Sequence, residues 1–246
     1  MIESKKTSRP HVNFLKSRLE GILQLFYPPV CLVCGSVFNE ETDFRHLCAA
    51  CLDKCRPVAG ETVHRMVTAR LSTSYLDKIF VCLEFEETVQ NVIHHIKYRK
   101  MNRLAEQFSC RAFSYLEEKD ELQQADLCIP VPLHPRREKE RGYNQSDHVA
   151  EGFFSSRIPI FKQGILRQKA TVSQTNLDRE ARMQNVAEAF VVREPDQVKG
   201  KKIVLVDDVV TTGATLNECA RELKKSGAAA VFALTLATPL SKEFSV

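Results

Sequence analysis

No apolar run approaches the length of about 18 residues that a membrane-spanning helix needs, so none is expected in this 246-residue chain. Residues 1–9 are polar and charged. The apolar residues that follow, Phe14, Leu15, Leu19, Ile22, Leu23 and Phe26, are broken by Lys16, Arg18 and Glu20. That pattern does not suit a secretory signal, and the chain reads as cytoplasmic. Neither charge dominates: 35 Lys and Arg face 31 Asp and Glu, for a net +4. This total is too small to mark a nucleic-acid protein and too mixed for an acidic tail. With 43% apolar and 27% charged residues, disorder, collagen and coiled coil are all poor descriptions. Tryptophan, internal repeats and low-complexity segments are absent. Neither Gly-x-x-x-x-Gly-Lys-Ser/Thr nor Gly-x-Gly-x-x-Gly occurs, which disfavours a P-loop NTPase and a dinucleotide-binding fold.

Cysteine is the abundant exception, with nine residues, five of them between residues 30 and 60. That island has few large aliphatic residues and needs a staple to fold. Cys31-Leu-Val-Cys34 and Cys48-Ala-Ala-Cys51 form two Cys-x-x-Cys pairs, and Gly35 suits the left-handed backbone after the first. Two such knuckles offer four sulfurs in a tetrahedron, which closes the coordination shell of a structural Zn²⁺. An iron–sulfur cluster uses the same ligands, and a thioredoxin-type redox pair is a weaker alternative because it needs only one motif. Cys55 is a spare thiol or a substitute ligand. Cys82, Cys110, Cys128 and Cys219 sit singly in apolar elements, where core packing explains them.

The pattern divides the chain into an amphipathic helix in residues 1–29, a zinc knuckle in 30–60, and an α/β domain in 61–246. The helix, Val12 to Tyr27, stops at Pro28-Pro29 and either docks on the body or meets a membrane surface or partner. From residue 78 the apolar periodicity alternates: strand Lys78–Glu86, helices Thr88–Lys100 and Leu104–Glu117, strand Asp126–Val131, helix Tyr143–Ser155, strand Lys202–Val206, helix Thr215–Ser226, strand Ala230–Leu236. Such alternation predicts a mainly parallel sheet.

The strand Ile203 to Val206 runs into Asp207-Asp208, then Val209-Val210, then Thr211-Thr212-Gly213-Ala214-Thr215, where a helix begins. Ligands of open α/β sheets bind beyond the carboxyl ends of the strands. A helix start offers N–H groups and a positive dipole end to a phosphate, and Gly213 lets the backbone come close. The acids themselves repel phosphate. They suit neutral hydroxyls, as on a ribose, or a divalent metal.

Val204 to Thr215, VLVDDVVTTGAT, resembles the phosphoribosyl pyrophosphate (PRPP) motif of type I phosphoribosyltransferases. Ile129 to Arg137, Arg141 to Ser146, then Arg167, Thr171, Gln174, Leu177, Arg179, Arg182, Asn185, Val186, Ala189 and Phe190 follow a second pattern. With the Cys pairs they resemble the ComF/GntX family of competence-associated proteins, from about Leu25 to Thr238. The resemblance implies a type I phosphoribosyltransferase-like fold. It implies that Asp207 and Asp208, as the catalytic pair, hold the ribose hydroxyls, and that Val209, Thr211, Thr212, Gly213, Ala214 and Thr215 cradle the 5′-phosphate. It further implies a pyrophosphate loop over Val131 to Arg137, with Leu133, His134, Arg136 and Arg137 as candidates. Arg141, Tyr143, Asn144 and Gln145 resemble a hood over the substrate, with capping by Asn144 as the plainer role. Mg²⁺ would accompany PRPP, and single-stranded DNA and a competence helicase are implied partners. The activity is either phosphoribosyl transfer to an undefined acceptor or a catalytically inactive sensor or scaffold.

Two charge patterns add to this. Residues 128–182 hold ten Lys/Arg and six Asp/Glu, whereas residues 183–246 hold eight of each, so the surplus lies in the central loops. Lys97, Arg99, Lys100 and Arg103 surround Tyr98 with no acid between Glu87 and Glu106. Cations around an aromatic suit a single nucleic-acid strand, and equally suit a solvated helix end. His94, His95, His134 and His148 show no metal spacing and read as surface or cap residues.

Overall fold

A computed structural model describes residues 28–38, 44–58, 60–117, 119–155, 157–168 and 189–240. The expected helix at 12–27 and the motif residues Thr171 to Val186 lie outside these. The chain forms two compact units, Met1–Leu52 and Asp53–Val246. In the first, residues 28–38 and 44–52 make two tight turns closed by a short helix, Ala49–Leu52.

The second unit is built on four parallel strands: β1 (Lys78–Glu84), β2 (Leu127–Pro130), β5 (Lys202–Val209) and β6 (Ala230–Thr238), in the order β1-β6-β5-β2. Their apolar runs are nearly continuous because both faces are covered. The odd-numbered residues Ile79, Val81, Ile129, Val131, Ile203, Leu205, Val231 and Ala233 share one core with helices Gly60–Thr68 and Ala214–Lys225. On the other side, helix Gln145–Phe154 packs on β2 and β5 and against helix Asn102–Ser114. The helices that follow β2 and β5 thus leave the sheet in different directions, which opens a crevice at the carboxyl ends of these neighbouring strands.

The alternation read from the sequence holds, with boundaries displaced by a few residues. Three features were not anticipated. A helix, Gly60–Thr68, precedes β1. The run Arg136 to Arg141, read as a loop, is a helix, Pro135–Arg141, because Pro135 sits at its first turn and His134 Nδ1 accepts from the Arg136 N–H at 3.2 Å. A separate antiparallel pair, β3 (Ile165–Arg167) with β4 (Phe190–Val192), follows the main helix of this region. Strands of three residues are too short to show a period.

One cysteine departs from expectation. Cys82, Cys128 and Cys219 are buried, but Cys110 is exposed. Helix Asn102–Ser114 buries Leu104, Ala105, Phe108, Ser109, Ala112 and Phe113, and Cys110 falls on the opposite side. Cys55 is buried, and burial pushes its thiol up to about 11.

Candidate functional site

Strand β5 runs one residue past the acids, to Val209. Asp207 is registered opposite Thr235 and Val209 opposite Ala237, so the sheet ladder fixes the acids' backbone. Successive strand residues point to opposite faces, and the two carboxylates meet different neighbours. Asp207 Oδ1 accepts from the Ser146 hydroxyl and from the Asp208 N–H, both at 2.9 Å. Asp208 Oδ1 accepts from the Val209 N–H at 2.9 Å, and Oδ2 lies 2.6 Å from Lys97 Nζ. Burial, and then the neighbouring charge of Asp208, push the Asp207 carboxyl up to about 7.

The turn after β5 is held from outside: Arg70 donates to the Thr211 carbonyl at 3.0 Å. Gly213 has φ 77°, and a Cβ there would lie 2.4 Å from Val67 Cγ1. Both the left-handed backbone and the close approach require glycine. Helix Ala214–Lys225 starts here without a side-chain cap, apart from a long contact of Thr212 Oγ1 to the Ala214 N–H at 3.4 Å. Its first turn therefore presents donors at the cleft floor.

A cleft of about 660 Å³ joins these parts. Asp207, Asp208, Val209, Thr211 and Thr215 form one wall, whereas Thr212, Gly213 and Ala214 shape the turn behind it. From the expected pyrophosphate and hood segments, Leu133, Arg137, Arg141 and Gln145 reach the cleft. Arg136 is not among the lining residues and pairs at 3.1 Å with Glu140, which is, and His134 is spent as a cap. The Val131 N–H is already bonded to the Val206 carbonyl at 2.8 Å, and Pro132 has none, so the loop's remaining amides are those of Leu133 and His134. Asn144 is buried. Its amide donates to the Val131 carbonyl at 3.1 Å and to Asp147 Oδ1 at 3.0 Å, tying this loop to the start of the next helix. The Tyr143 hydroxyl is buried with no hydrogen-bond partner among the described residues.

Of the basic cluster, Lys97, Tyr98 and Lys100 line the cleft, and Arg99 and Arg103 are exposed. Tyr98 is 64% exposed, with Arg141 5.5 Å above its ring. Arg167, on β3, also lines the cleft and stacks 5.3 Å from the Phe190 ring. Five cations (Lys97, Lys100, Arg137, Arg141 and Arg167) and three carboxylates surround this space. Two of those cations, Lys97 and Lys100, come from outside the central stretch where the charge surplus was expected.

A family model described as "Phosphoribosyl transferase domain" matches residues 162–246. The chain is 31% identical over 158 residues to DNA utilization protein YhgH of Escherichia coli K12, covering 63% of this chain and 69% of that protein. It is likewise 31% identical over 158 residues to competence protein F of Haemophilus influenzae, covering 61% and 68%. The chain belongs to the ComF family of competence-associated, phosphoribosyltransferase-like proteins. Competence protein ComFC of Bacillus subtilis is 25% identical over 234 residues, 84% of this chain and 94% of that one. Among solved structures, a purine phosphoribosyltransferase from Pyrococcus horikoshii is 24% identical, with TM-score 0.32, covering 53% of this chain and 73% of that one. The allosteric regulatory enzyme of purine biosynthesis is 22% identical at TM-score 0.33, and the match spans 24% of its length.

This ComF-family chain also gathers its four cysteines. The thiols of Cys31, Cys34, Cys48 and Cys51 all lie within 4.8 Å of one another, with Cys34 and Cys48 Sγ at 3.7 Å. A tetrahedral ion with bonds of about 2.3 Å sets its sulfurs about 3.8 Å apart, so the spacing fits one ion. A multi-iron cluster would hold the four thiols farther apart. Local bonds build the site: the Gly35 N–H donates to the Cys31 carbonyl at 2.9 Å, and the Cys51 N–H to the Cys48 carbonyl at 3.1 Å. Ser36 hydrogen bonds, side chain first and then backbone, lower the Cys34 thiol to about 6, whereas burial above all raises that of Cys51, so the metal-free thiols differ among themselves.

His148, read as a surface or cap residue, lies between Glu106 (3.0 Å) and Glu151 (2.9 Å). The cluster holds its own cation, because Lys162 pairs with Glu151 at 2.6 Å, and we read it as an ion-pair network joining two helices. Among the described residues, no helix is long and apolar enough to cross a membrane.

Proposed function

We propose that the cleft binds PRPP with Mg²⁺ and supports phosphoribosyl transfer with release of pyrophosphate. The observation that carries this reading is the acid pair fixed at the end of β5, between a helix start and a wall of arginines. Asp207 and Asp208 accept hydrogen bonds from the ribose 2′ and 3′ hydroxyls. The 5′-phosphate sits over the turn Thr211 to Thr215, where helix donors face it. Arg137, with the amides of Leu133 and His134, takes the pyrophosphate, and guanidinium forks match its oxygens. Asp207 and Asp208 are hard oxygen donors that suit Mg²⁺, and Mg²⁺ supplies charge neutralisation to the leaving pyrophosphate. The chain's own contribution is positioning and electrostatics.

The test is calorimetric titration of the whole protein with Mg²⁺ and PRPP. One saturating site is expected. Because the Asp207 carboxyl titrates near 7, binding that needs its charged form releases a proton at neutral pH. The heat should therefore vary with the buffer's ionisation enthalpy, and affinity should weaken as pH falls below 7. No binding heat would remove the function, and proton uptake would remove Asp207 from it.

A second reading, a PRPP-responsive module that holds single-stranded DNA and works with a competence helicase, is favoured by exposed Tyr98 and by Lys100, which line the cleft, with Arg99 and Arg103 exposed near them in the chain. Pyrophosphate release, screened against free bases, amines and single-stranded DNA, separates the two: turnover supports the transferase, and DNA binding without turnover supports the module.

The four thiols are proposed to hold a structural Zn²⁺. The protein should purify with one equivalent. Cys34→Ser should lose most of that metal and expose residues 28–52 to protease. Metal content equal to the parent's would refute the assignment.

A further inference from the structure

Lys97 belongs by sequence to an exposed basic cluster, yet its ammonium turns inward. Nζ lies 2.6 Å from Asp208 Oδ2, with the lysine side chain 25% exposed and the aspartate 7%. The last turns of helix Glu87–Tyr98 aim it there, because Val92, Ile93 and Ile96 anchor that helix in the core. The Val209 N–H occupies Oδ1, and among the described residues Oδ2 has no hydrogen-bond partner apart from this ion pair. The hydrogen bonds to Asp207 among the described residues come from neutral donors, the Ser146 hydroxyl and the Asp208 N–H. Lys97 is thus the cation in direct contact with the acid pair, and Arg167 acts on Asp207 only through its field.

A divalent cation seeks the same hard oxygens. It cannot sit on Oδ2 while an ammonium is 2.6 Å from that atom, since two cations so close repel strongly in a partly buried site. We propose that Lys97 is a built-in counter-ion that a divalent cation must displace from Asp208, so that the site's metal affinity is set by exchange between lysine and metal. The lysine has a place to go. It lines the same cleft as the phosphate-facing arginines, and its flexible stem lets the ammonium swing from the carboxylate to an arriving anion. Metal without an anionic ligand binds poorly, because the ammonium would be left among Lys100, Arg137 and Arg141. Metal with a polyphosphate binds well, because the displaced ammonium then gains a partner. The inference takes from the proposed function only that a divalent ion comes to the acid pair.

The experiment uses Mn²⁺ alone, titrated into the full-length protein and followed by electron paramagnetic resonance of the free ion. Mn²⁺ is a hard ion and leaves the thiolate site undisturbed. Lys97→Met should bind Mn²⁺ roughly ten-fold or more tighter than the parent, which the loss of one close cation allows. Lys100→Met removes the same charge from the same cleft without touching Asp208, and should change affinity by less than about three-fold. Adding Asp208→Asn to Lys97→Met should erase the gain. Equal changes at Lys97 and Lys100 would overturn the proposal, since they would report only the general field. Unchanged or weaker Mn²⁺ binding in Lys97→Met would also overturn it, and Lys97→Gln serves if the methionine variant does not fold. Tighter Mn²⁺ binding with no PRPP heat in any variant would uphold this inference and remove the proposed function. PRPP binding in the parent with unchanged Mn²⁺ affinity in Lys97→Met would do the reverse.

Discussion

Replacing Asp207 and Asp208 together by asparagine should abolish measurable PRPP binding. Each substitution keeps the side chain's shape, removes a charge and turns one acceptor oxygen into a donor. A hydrogen bond to a charged group contributes about 1.5–3 kcal/mol, so two together amount to roughly a hundred- to ten-thousand-fold in affinity. Calorimetry of parent and variant reads this directly, and retained affinity would remove the acid pair from the site. The same variant carries a second signature. Burial, and then the charge of Asp208, hold the Asp207 carboxyl near 7, above its value of about 4 in an unfolded chain. Between those two values the folded state binds the extra proton, so Asp207 makes stability fall as pH rises through that window. The difference between variant and parent melting temperatures should therefore grow from pH 4 to pH 7 in the variant's favour. A difference that stays flat across the window would show that Asp207 is not held in this way.

Gly152→Val should strongly destabilise the second unit. A Cβ at Gly152 would lie 2.2 Å from the Glu106 carbonyl oxygen and 2.7 Å from Ser109 Cβ. Here helices Asn102–Ser114 and Gln145–Phe154 meet backbone to backbone, and neither neighbour is the tip of a flexible chain. Overpacking of this kind costs about 1–3 kcal/mol, and the branched valine should reach the top of that range or pass it. Gly200 is the control, with φ 72° and nothing within 4 Å of a Cβ. Gly200→Ala should cost only about 1 kcal/mol of backbone strain. Urea midpoints compare the two, and equal losses would mean that the helices slide apart at no cost. Because Gln145–Phe154 carries Ser146 to Asp207, the Gly152 variant should weaken ligand binding as well.

The parallel sheet was legible because strands buried on both faces carry unbroken apolar runs, and Ile203 to Val206 could hardly be anything else. The acid pair was legible for a related reason: polar residues directly after such a run mark the carboxyl edge where ligands bind. The paired Cys-x-x-Cys spacing likewise announced a four-thiol cluster. What stayed hidden depends on long-range packing. Lys97 and Asp208 stand 111 positions apart in the chain, and no periodicity tells which face of a basic helix turns inward. Ser146 and Arg70 are equally silent in sequence, because a serine or an arginine has many roles until its partner is known. Arg136 and Arg137 looked equivalent until helix Pro135–Arg141 gave each its direction.

The separation of the cleft's walls has a consequence for how such a site could diversify. The acids are locked into a ladder with β6, while Arg167 rides on the β3–β4 pair, which among the described residues shares no hydrogen-bonded strand with the main sheet. Mutations in that small pair could remodel the Arg167 side of the cleft over evolutionary time while the acid pair keeps its geometry. Under the proposed function, one inherited grip on an activated ribose could in this way serve many acceptors, or none.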